Sequence, residues 1–365
     1  MPVLYETRPT LVPPPTTPEH RAPIENILEL THLKDIDPDL YTNTRPLWHP
    51  PGARGIYGGA VIAQCLAAGQ HTVAKNFYVH SMHCYFVMAG DAKMPIIYHV
   101  EHVREGRSFA VRTVQARQRG KVIFTTTMSF VKEGSGGKKL VEHAYDMPLV
   151  PGPTEDPEDT RLPQGSQSPF ISQQIDIFNN DSPKPHTKRT RQWIKARGKI
   201  SEAGGHEAHL AAMAYMSDSY FIGTISRVHK LWRIPRPMPR EQKDRAPWEE
   251  NSANEQKKPD IVEDEDVLAT IRKAGVEKMR ELASQKKIVP QVGMMVSLDH
   301  TIYFHNPKAL KADEWLFTEM ESPWAGDGRG LVMQRIWTRD GTLVASCVQE
   351  GVVRLKPDSE AGSKL

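Results

Sequence analysis

Residues 209–223 read "HLAAMAYMSDSYFIG", a run of small and apolar residues, mostly good helix formers, broken by one carboxylate. Packing against a sheet leaves little room for a free acid, because a buried carboxylate without partners is strongly destabilising. Asp218 therefore needs hydrogen bonds or water, and on a helix it would share a face with Ala211 and Ala214. A second run of the same character, "GGAVIAQCLAAGQ" at residues 58–70, contains no acid. Two similar helices, only one of them carrying a carboxylate, predict one working site per chain.

The sequence after each run is also alike. The first continues "SMHCYFVMAGDAKMPIIYHVEHVREGRSFAVRTVQARQRGKVIFTTTMSFV", and the second "SLDHTIYFHNPKALKADEWLFTEMESPWAGDGRGLVMQRIWTRDGTLVASCVQEGVV". Each gives a strand beginning with Ser, a polar turn, a long alternating strand, a turn containing Gly-Arg, and a hairpin with tip "RQRGK" or "TRDGT". In "FAVRTVQARQ", Phe109, Val111, Thr113 and Gln115 point one way, as in a half-buried antiparallel strand. One long helix followed by several such strands buries the helix only if the sheet curls round it. The predicted class is α+β, a double hotdog with two repeats, each a long helix wrapped by an antiparallel sheet.

Composition narrows the function classes. A chain of 365 residues, 39% hydrophobic and 25% charged, can bury a sizeable core. The 47 basic and 44 acidic residues give a net charge of +3, spread too evenly for a nucleic-acid-binding face. Apolar runs such as "VIAQCLAA" fall short of the ~20 residues a membrane span needs, and "MPVLYETRPTLVPPPTTPEH" lacks the apolar core of a secretory signal. Cys65, Cys84 and Cys347 are widely spaced in apolar surroundings, which fits reduced core thiols better than disulfides or a metal site. Ser363, Lys364 and Leu365 form the tripeptide that a peroxisomal import receptor reads, so a peroxisomal matrix location is expected.

Breaks in composition suggest the boundaries. Residues 1–21 form an extended Pro-rich arm, 22–133 a first hotdog domain, 134–189 a surface linker, and 190–356 a second hotdog domain. The second domain carries a charged, Pro-rich insertion at about 234–290, closing in "EDVLATIRKAGVEKMRELASQKK", which has helical spacing. Residues 357–365 form a flexible tail holding the targeting tripeptide.

The stretches "YGGAVIAQ", "VHSMHCYFVMAGDAKMPIIYHVEHVREGRSF", "RQWIKARG", "AYMSD", "SLDHTIYFH" and "VASCVQEGVVR" carry a resemblance. The chain resembles the acyl-CoA thioesterase II family, the peroxisomal and bacterial double-hotdog enzymes of medium- and long-chain acyl-CoA. The likeness covers about residues 22–132 and 190–354. It implies an acyl-CoA substrate, no cofactor, no metal and a homo-oligomer. In that family an aspartate, a hydroxyl residue and a glutamine hold the attacking water. The matching positions are Asp218 in "AYMSD", Ser297 in "VSLDH" and Gln349 in "VQEGV". Bacterial members usually have threonine where Ser297 stands; serine keeps the hydroxyl.

The residues suit that chemistry. Water has a pKa of 15.7 and a free Asp about 3.9, so complete deprotonation before attack would cost roughly 16 kcal/mol. Proton removal must accompany attack. A thiol of pKa near 8.5 leaves as a thiolate without a strong acid behind it. The oxyanion needs donors, and Gly58 and Gly59, opening the first-half helix, are candidates. "GIYGG" could equally be helix-entry geometry and lacks a dinucleotide or P-loop spacing.

Two other chemistries find little support. His80, His83, His300 and His305 match no zinc signature and read as core or surface imidazoles. No G-x-S-x-G elbow is present; "GRSFA" fails at its last position. Two competing readings remain. A double-hotdog enoyl-CoA hydratase would carry D-x-N-x-x-H, and no Asp here has Asn two residues on. A non-catalytic acyl-CoA-binding protein would not need all three site residue types.

Overall fold

The computed structural model describes residues 8–50, 53–138, 141–154, 168–231 and 290–356. Apart from Leu231, Pro290 and Gln291, these fall in one compact unit. The predicted insertion with its helix, up to residue 289, and the tail with Ser363, Lys364 and Leu365 lie outside the described residues.

In the first half, α1 (Pro23–Leu28), β1 (Leu30–His32) and β2 (Leu40–Asn43) precede α2 (Gly58–Gln70). Four long strands follow: β3 (Phe77–Phe86), β4 (Ile97–Glu105), β5 (Phe109–Gln118) and β6 (Lys121–Lys132). The second half opens with β7 (Phe170–Phe178) and β8 (Arg189–Ala196), then α3 (Gly205–Ser217) and the short α4 (Gly223–Val228). It closes with β9 (Val292–Ser297), β10 (Asp299–Phe304), β11 (Leu316–Gly326), β12 (Arg329–Thr338) and β13 (Leu343–Leu355).

All thirteen strands join one sheet in the order β1-β2-β4-β5-β6-β3-β10-β13-β12-β11-β8-β7, with β9 added against β13. The order reads the same from either end once β3 is matched with β10, β6 with β13, β5 with β12, β4 with β11 and β2 with β8. The two repeats therefore meet at β3 and β10, where His300 pairs with Cys84 and Ile302 with Met82.

α2 and α3, of 13 residues each, are buried on nearly every side. A helix that is small and apolar all round can have sheet on one side and a second helix on the other, and the two pack against each other. Ile62, Leu66, Leu210 and Met213 are among the buried side chains, each contributing roughly 1.5–3 kcal/mol. On β5 the inward face is Ala110, Arg112, Val114 and Ala116, and the outward face begins at exposed Phe109. Arg112 is enclosed completely, its Nη2 donating to Thr72 O (2.8 Å) and its Nε to Thr72 Oγ1 (2.8 Å) just beyond the end of α2. There a cation meets the negative end of the helix.

Two sequence expectations change. The run 209–223 is not one helix: α3 stops at Ser217, Asp218 caps it, and Tyr220 takes a left-handed φ of 57° before α4 starts. The span 134–189 is not all linker, because residues 170–178 pair with β8 as the edge strand β7. An edge strand buries little, so "FISQQIDIF" is polar enough to read as a connection. Residues 141–154, which have no regular structure, pack Met147 and Val150 over Trp193, Phe317 and Trp337. The indole N–H groups of Trp193 and Trp337 donate to Pro151 O and Tyr145 O. This strap covers the outer face of the second repeat, where those tryptophans would otherwise be wet.

Candidate active site

Asp218 stands at the C-terminal end of α3, which on its own repels a carboxylate. The opposing influence comes from α2. Its first turn reaches the same point, and the Gly59 backbone N–H donates to the Asp218 carboxylate. The two helix ends are close because the side chains there are absent: a Cβ on Gly59 would lie 2.3 Å from Tyr215 O, and one on Gly58 2.8 Å from Asp218 Oδ2. Tyr57, just before them, donates its phenol proton to Tyr215 O (3.0 Å) and clamps the crossing.

Gln349 is fully buried on β13, and its Nε2 donates to Asp218 Oδ1 at 2.9 Å. Its Oε1 has no partner among the described residues. Ser297 ends β9 opposite Gly351, two residues beyond Gln349 and on the same face of β13. That face is the inner one, since Gly351 packs against Ile222. Ser297 and Gln349 are thus diagonal neighbours, roughly 7–8 Å apart with their Cβ atoms somewhat closer, a spacing that one small molecule can bridge. Among the described residues the Ser297 hydroxyl forms no hydrogen bond with Asp218 or Gln349. The step from β9 to β10 contributes here: Ser297 pairs with Gly351, whereas Thr301 pairs with Val348, so the register slips by one residue between them. Through that slip Ser297 and His300, three residues apart, both face inward.

The electrostatics single out one acid. Burial pushes Asp218 up to about 6, against the hydrogen bonds from Gln349 and Gly59, which pull it down. The phenols of Tyr57 and Tyr215 are raised by burial and by the Asp218 charge, and burial pushes the Cys84 thiol up to about 12. Burial holds His300 down to about 3. Near neutral pH the carboxylate is the group at this point that changes charge.

The sequence-derived set is therefore brought together unevenly. Asp218 and Gln349 touch, and Ser297 shares their face. Gly58 and Gly59 arrive from the other repeat, and the Gly59 amide favours the charged form of Asp218. The close approach these glycines permit is that of the carboxylate. The Gly58 N–H, in the first turn of α2, has no partner within the helix. The histidines go separate ways: His80 to Ser129 Oγ, His83 to Thr301 Oγ1, His305 to Ser346 Oγ and His300 to Ser217 Oγ. Among the described residues no group of three or more His, Cys, Asp or Glu could hold a metal ion. Two participants escaped the sequence reading. Tyr57 is signalled only by standing before Gly58, and Ser217 only by standing before Asp218.

The position matching Asp218 in the first repeat is His71, which caps α2 as Asp218 caps α3. The hairpins β5–β6 and β12–β13 carry the same bulge, at Ile123 and Val344, so the position matching Gln349 is Met128. One repeat thus holds an acid and an amide where the other holds an imidazole and a thioether.

A helix wrapped by an antiparallel sheet, twice in one chain, with a carboxylate at the helix crossing, defines the hotdog class of acyl-thioester enzymes. Family profiles agree: the acyl-CoA thioesterase C-terminal domain matches residues 149–353 and the N-terminal domain residues 45–131. The chain belongs to the acyl-CoA thioesterase family and is a thioester hydrolase acting on acyl-CoA. It is 32% identical to acyl-coenzyme A thioesterase 8 of Homo sapiens over 351 residues, covering 91% of this chain and 89% of that one. It is 27% identical to peroxisomal acyl-coenzyme A thioester hydrolase 1 of Saccharomyces cerevisiae, covering 90% and 94%. Among solved structures, the acyl-CoA thioesterase II TesB2 of Mycobacterium marinum superposes with a TM-score of 0.60 at 27% identity, covering 93% of this chain and 99% of that one.

Proposed function

We propose that Asp218 is the general base of acyl-CoA hydrolysis and that Gln349 and Ser297 hold the attacking water beside it. The observation that carries this reading is the 2.9 Å bond from Gln349 Nε2 to Asp218 Oδ1 on the face shared with Ser297. The water lies between the Asp218 carboxylate, the Gln349 amide oxygen and the Ser297 hydroxyl, and attacks the thioester carbonyl. Relative to water at 15.7, a base near 6 still leaves roughly 13 kcal/mol for a free hydroxide, so proton transfer to Asp218 accompanies C–O bond formation. The tetrahedral oxyanion draws on the first turn of α2, with Gly58 as the donor. Collapse expels coenzyme A as a thiolate, and the proton on Asp218 returns to solvent.

The substrates are taken to be medium- to long-chain acyl-CoA, the acyl chain lying between helix and sheet. The tripeptide Ser363-Lys364-Leu365 and the peroxisomal yeast relative support import into peroxisomes. A thiol-release assay over graded acyl lengths tests the substrate range: an optimum at short chains refutes it. Removal of the tripeptide is expected to leave a fluorescent fusion in the cytosol.

A further inference from the structure

His300 is fully buried on β10 and plays no part in the mechanism above. Its Nε2 lies 2.9 Å from Ser217 Oγ. The Ser217 hydroxyl already donates its only proton to Ala214 O at 2.9 Å, so it accepts from His300. The imidazole proton is thereby assigned to Nε2, and Nδ1 is left as a bare acceptor. The pairing of Thr301 with Val348, carried one step further, sets His300 across from Gln349. Both side chains are on the inner face, and both present a buried acceptor, His300 Nδ1 and Gln349 Oε1, with no partner among the described residues.

Two acceptors cannot bond each other, but one molecule with two O–H donors satisfies both. We propose that His300 is a positioning residue for the hydrolysis: through Ser217 it anchors the helix end that carries Asp218, and through a water shared with Gln349 it orients the amide. With Oε1 held on the His300 side, the Gln349 Nε2–H is kept on the carboxylate. Lost orientation would let the amide turn its oxygen toward Asp218, and like partial charges would face each other. His300 itself moves no proton in this scheme. Phe221, edge-on to the imidazole at 5.4 Å between ring centres, closes its other side.

The inference rests on the assignment of Asp218 and Gln349 above, and its test separates the two. The readouts are kcat, KM and the acid limb of kcat/KM for the full-length chain with an acyl-CoA substrate. The groups near Asp218 are Tyr57 on the approach to α2, Tyr215 on α3, Tyr220 after it, Cys84 on β3 and His300 on β10. Burial holds the Tyr57, Tyr215 and Cys84 protons on to higher pH and keeps His300 neutral, so the limb reports Asp218. His300→Phe is expected to lower kcat 10- to 100-fold with KM within twofold, and to move the acid limb to higher pH, because Asp218 loses the bond that pulls it down. Gln349→Met should do the same, and the double variant should be little worse than either alone. Partial rescue is expected from His300→Asn, which restores an acceptor. Should His300→Phe not fold, Ser217→Ala is read by the same criteria. An unmoved limb, or losses that multiply in the double variant, overturns the positioning role. Near wild-type turnover in Asp218→Asn overturns the underlying assignment instead.

Discussion

Asp218 is held in a state that favours its reaction over the stability of the fold. With a folded pKa near 6, against 3.8 for a free side chain, the native protein binds the proton more tightly than the unfolded chain. Stability contributed by this group is therefore greatest below the unfolded value, and it declines as pH rises from about 4 to 6. Above pH 6 the buried charge costs roughly 1–3 kcal/mol. Asp218→Asn should accordingly raise the midpoint of denaturant unfolding at pH 8, and the gap to wild type should close near pH 4. The same substitution should reduce kcat by about a thousandfold, since it removes a base and leaves the volume. A variant that is active, or no more stable at pH 8 than wild type, contradicts this account. In the wild type, kcat/KM should fall as pH drops through about 6, where the carboxylate takes up its proton.

Helix and strand placement explain why these few side chains meet at all. The acid comes from the end of α3, the amide from β13, the hydroxyl from the end of β9 and the opposing dipole from α2. The approach of α2 depends on missing side chains, which gives a sharp contrast between two glycines at helix starts. A Cβ on Gly58 would sit 2.8 Å from both Asp218 Oδ2 and Phe86 Cε1, whereas one on Gly223, at the start of α4, would meet nothing within 4 Å. Alanine is worth about 1 kcal/mol over glycine inside an unhindered helix, but crowding in a packed site costs about 1–3 kcal/mol. Gly58→Ala should thus lower both Tm and kcat, the latter at least tenfold, while Gly223→Ala leaves Tm equal or higher. Equal behaviour of the two in thermal melts and turnover would show that the crossing tolerates a methyl group. Much of this level was legible in the sequence: the two small-residue helices, the alternation of "FAVRTVQARQ" and the hairpin tips follow from local periodicity. What was not legible depends on partners far along the chain. The halt of α3 at Ser217 is compensated by Gly59, more than 150 residues away, and "FISQQIDIF" becomes a strand only because β8 offers it an edge.

At the scale of the molecule, the two repeats share one sheet and one core rather than acting as separate domains. A single apolar cluster includes Ile62 and Leu66 of α2, Leu210 and Met213 of α3, Met82 of β3 and Ile302 of β10. The candidate site lies across the same seam, which explains why one acid suffices: the first repeat supplies a helix N-terminus and the second the reacting groups. The sequence made the duplication visible and the divergence at Asp218 plain, yet it could not show that the halves complete each other. That follows from the antiparallel joining of β3 to β10. A shared core predicts that the repeats unfold together. Among the described tryptophans, Trp48 belongs to the first repeat and Trp193, Trp315, Trp324 and Trp337 to the second. Unfolding followed by the fluorescence of a variant keeping Trp48 as its sole tryptophan should therefore coincide with unfolding followed by far-UV circular dichroism. Ile302→Ala, placed on the seam, should move both curves by the same amount, on the order of 2–5 kcal/mol. Two separated transitions, or a shift confined to one probe, would mean that each repeat keeps its own core and that the crossing of α2 and α3 is a contact between independent domains.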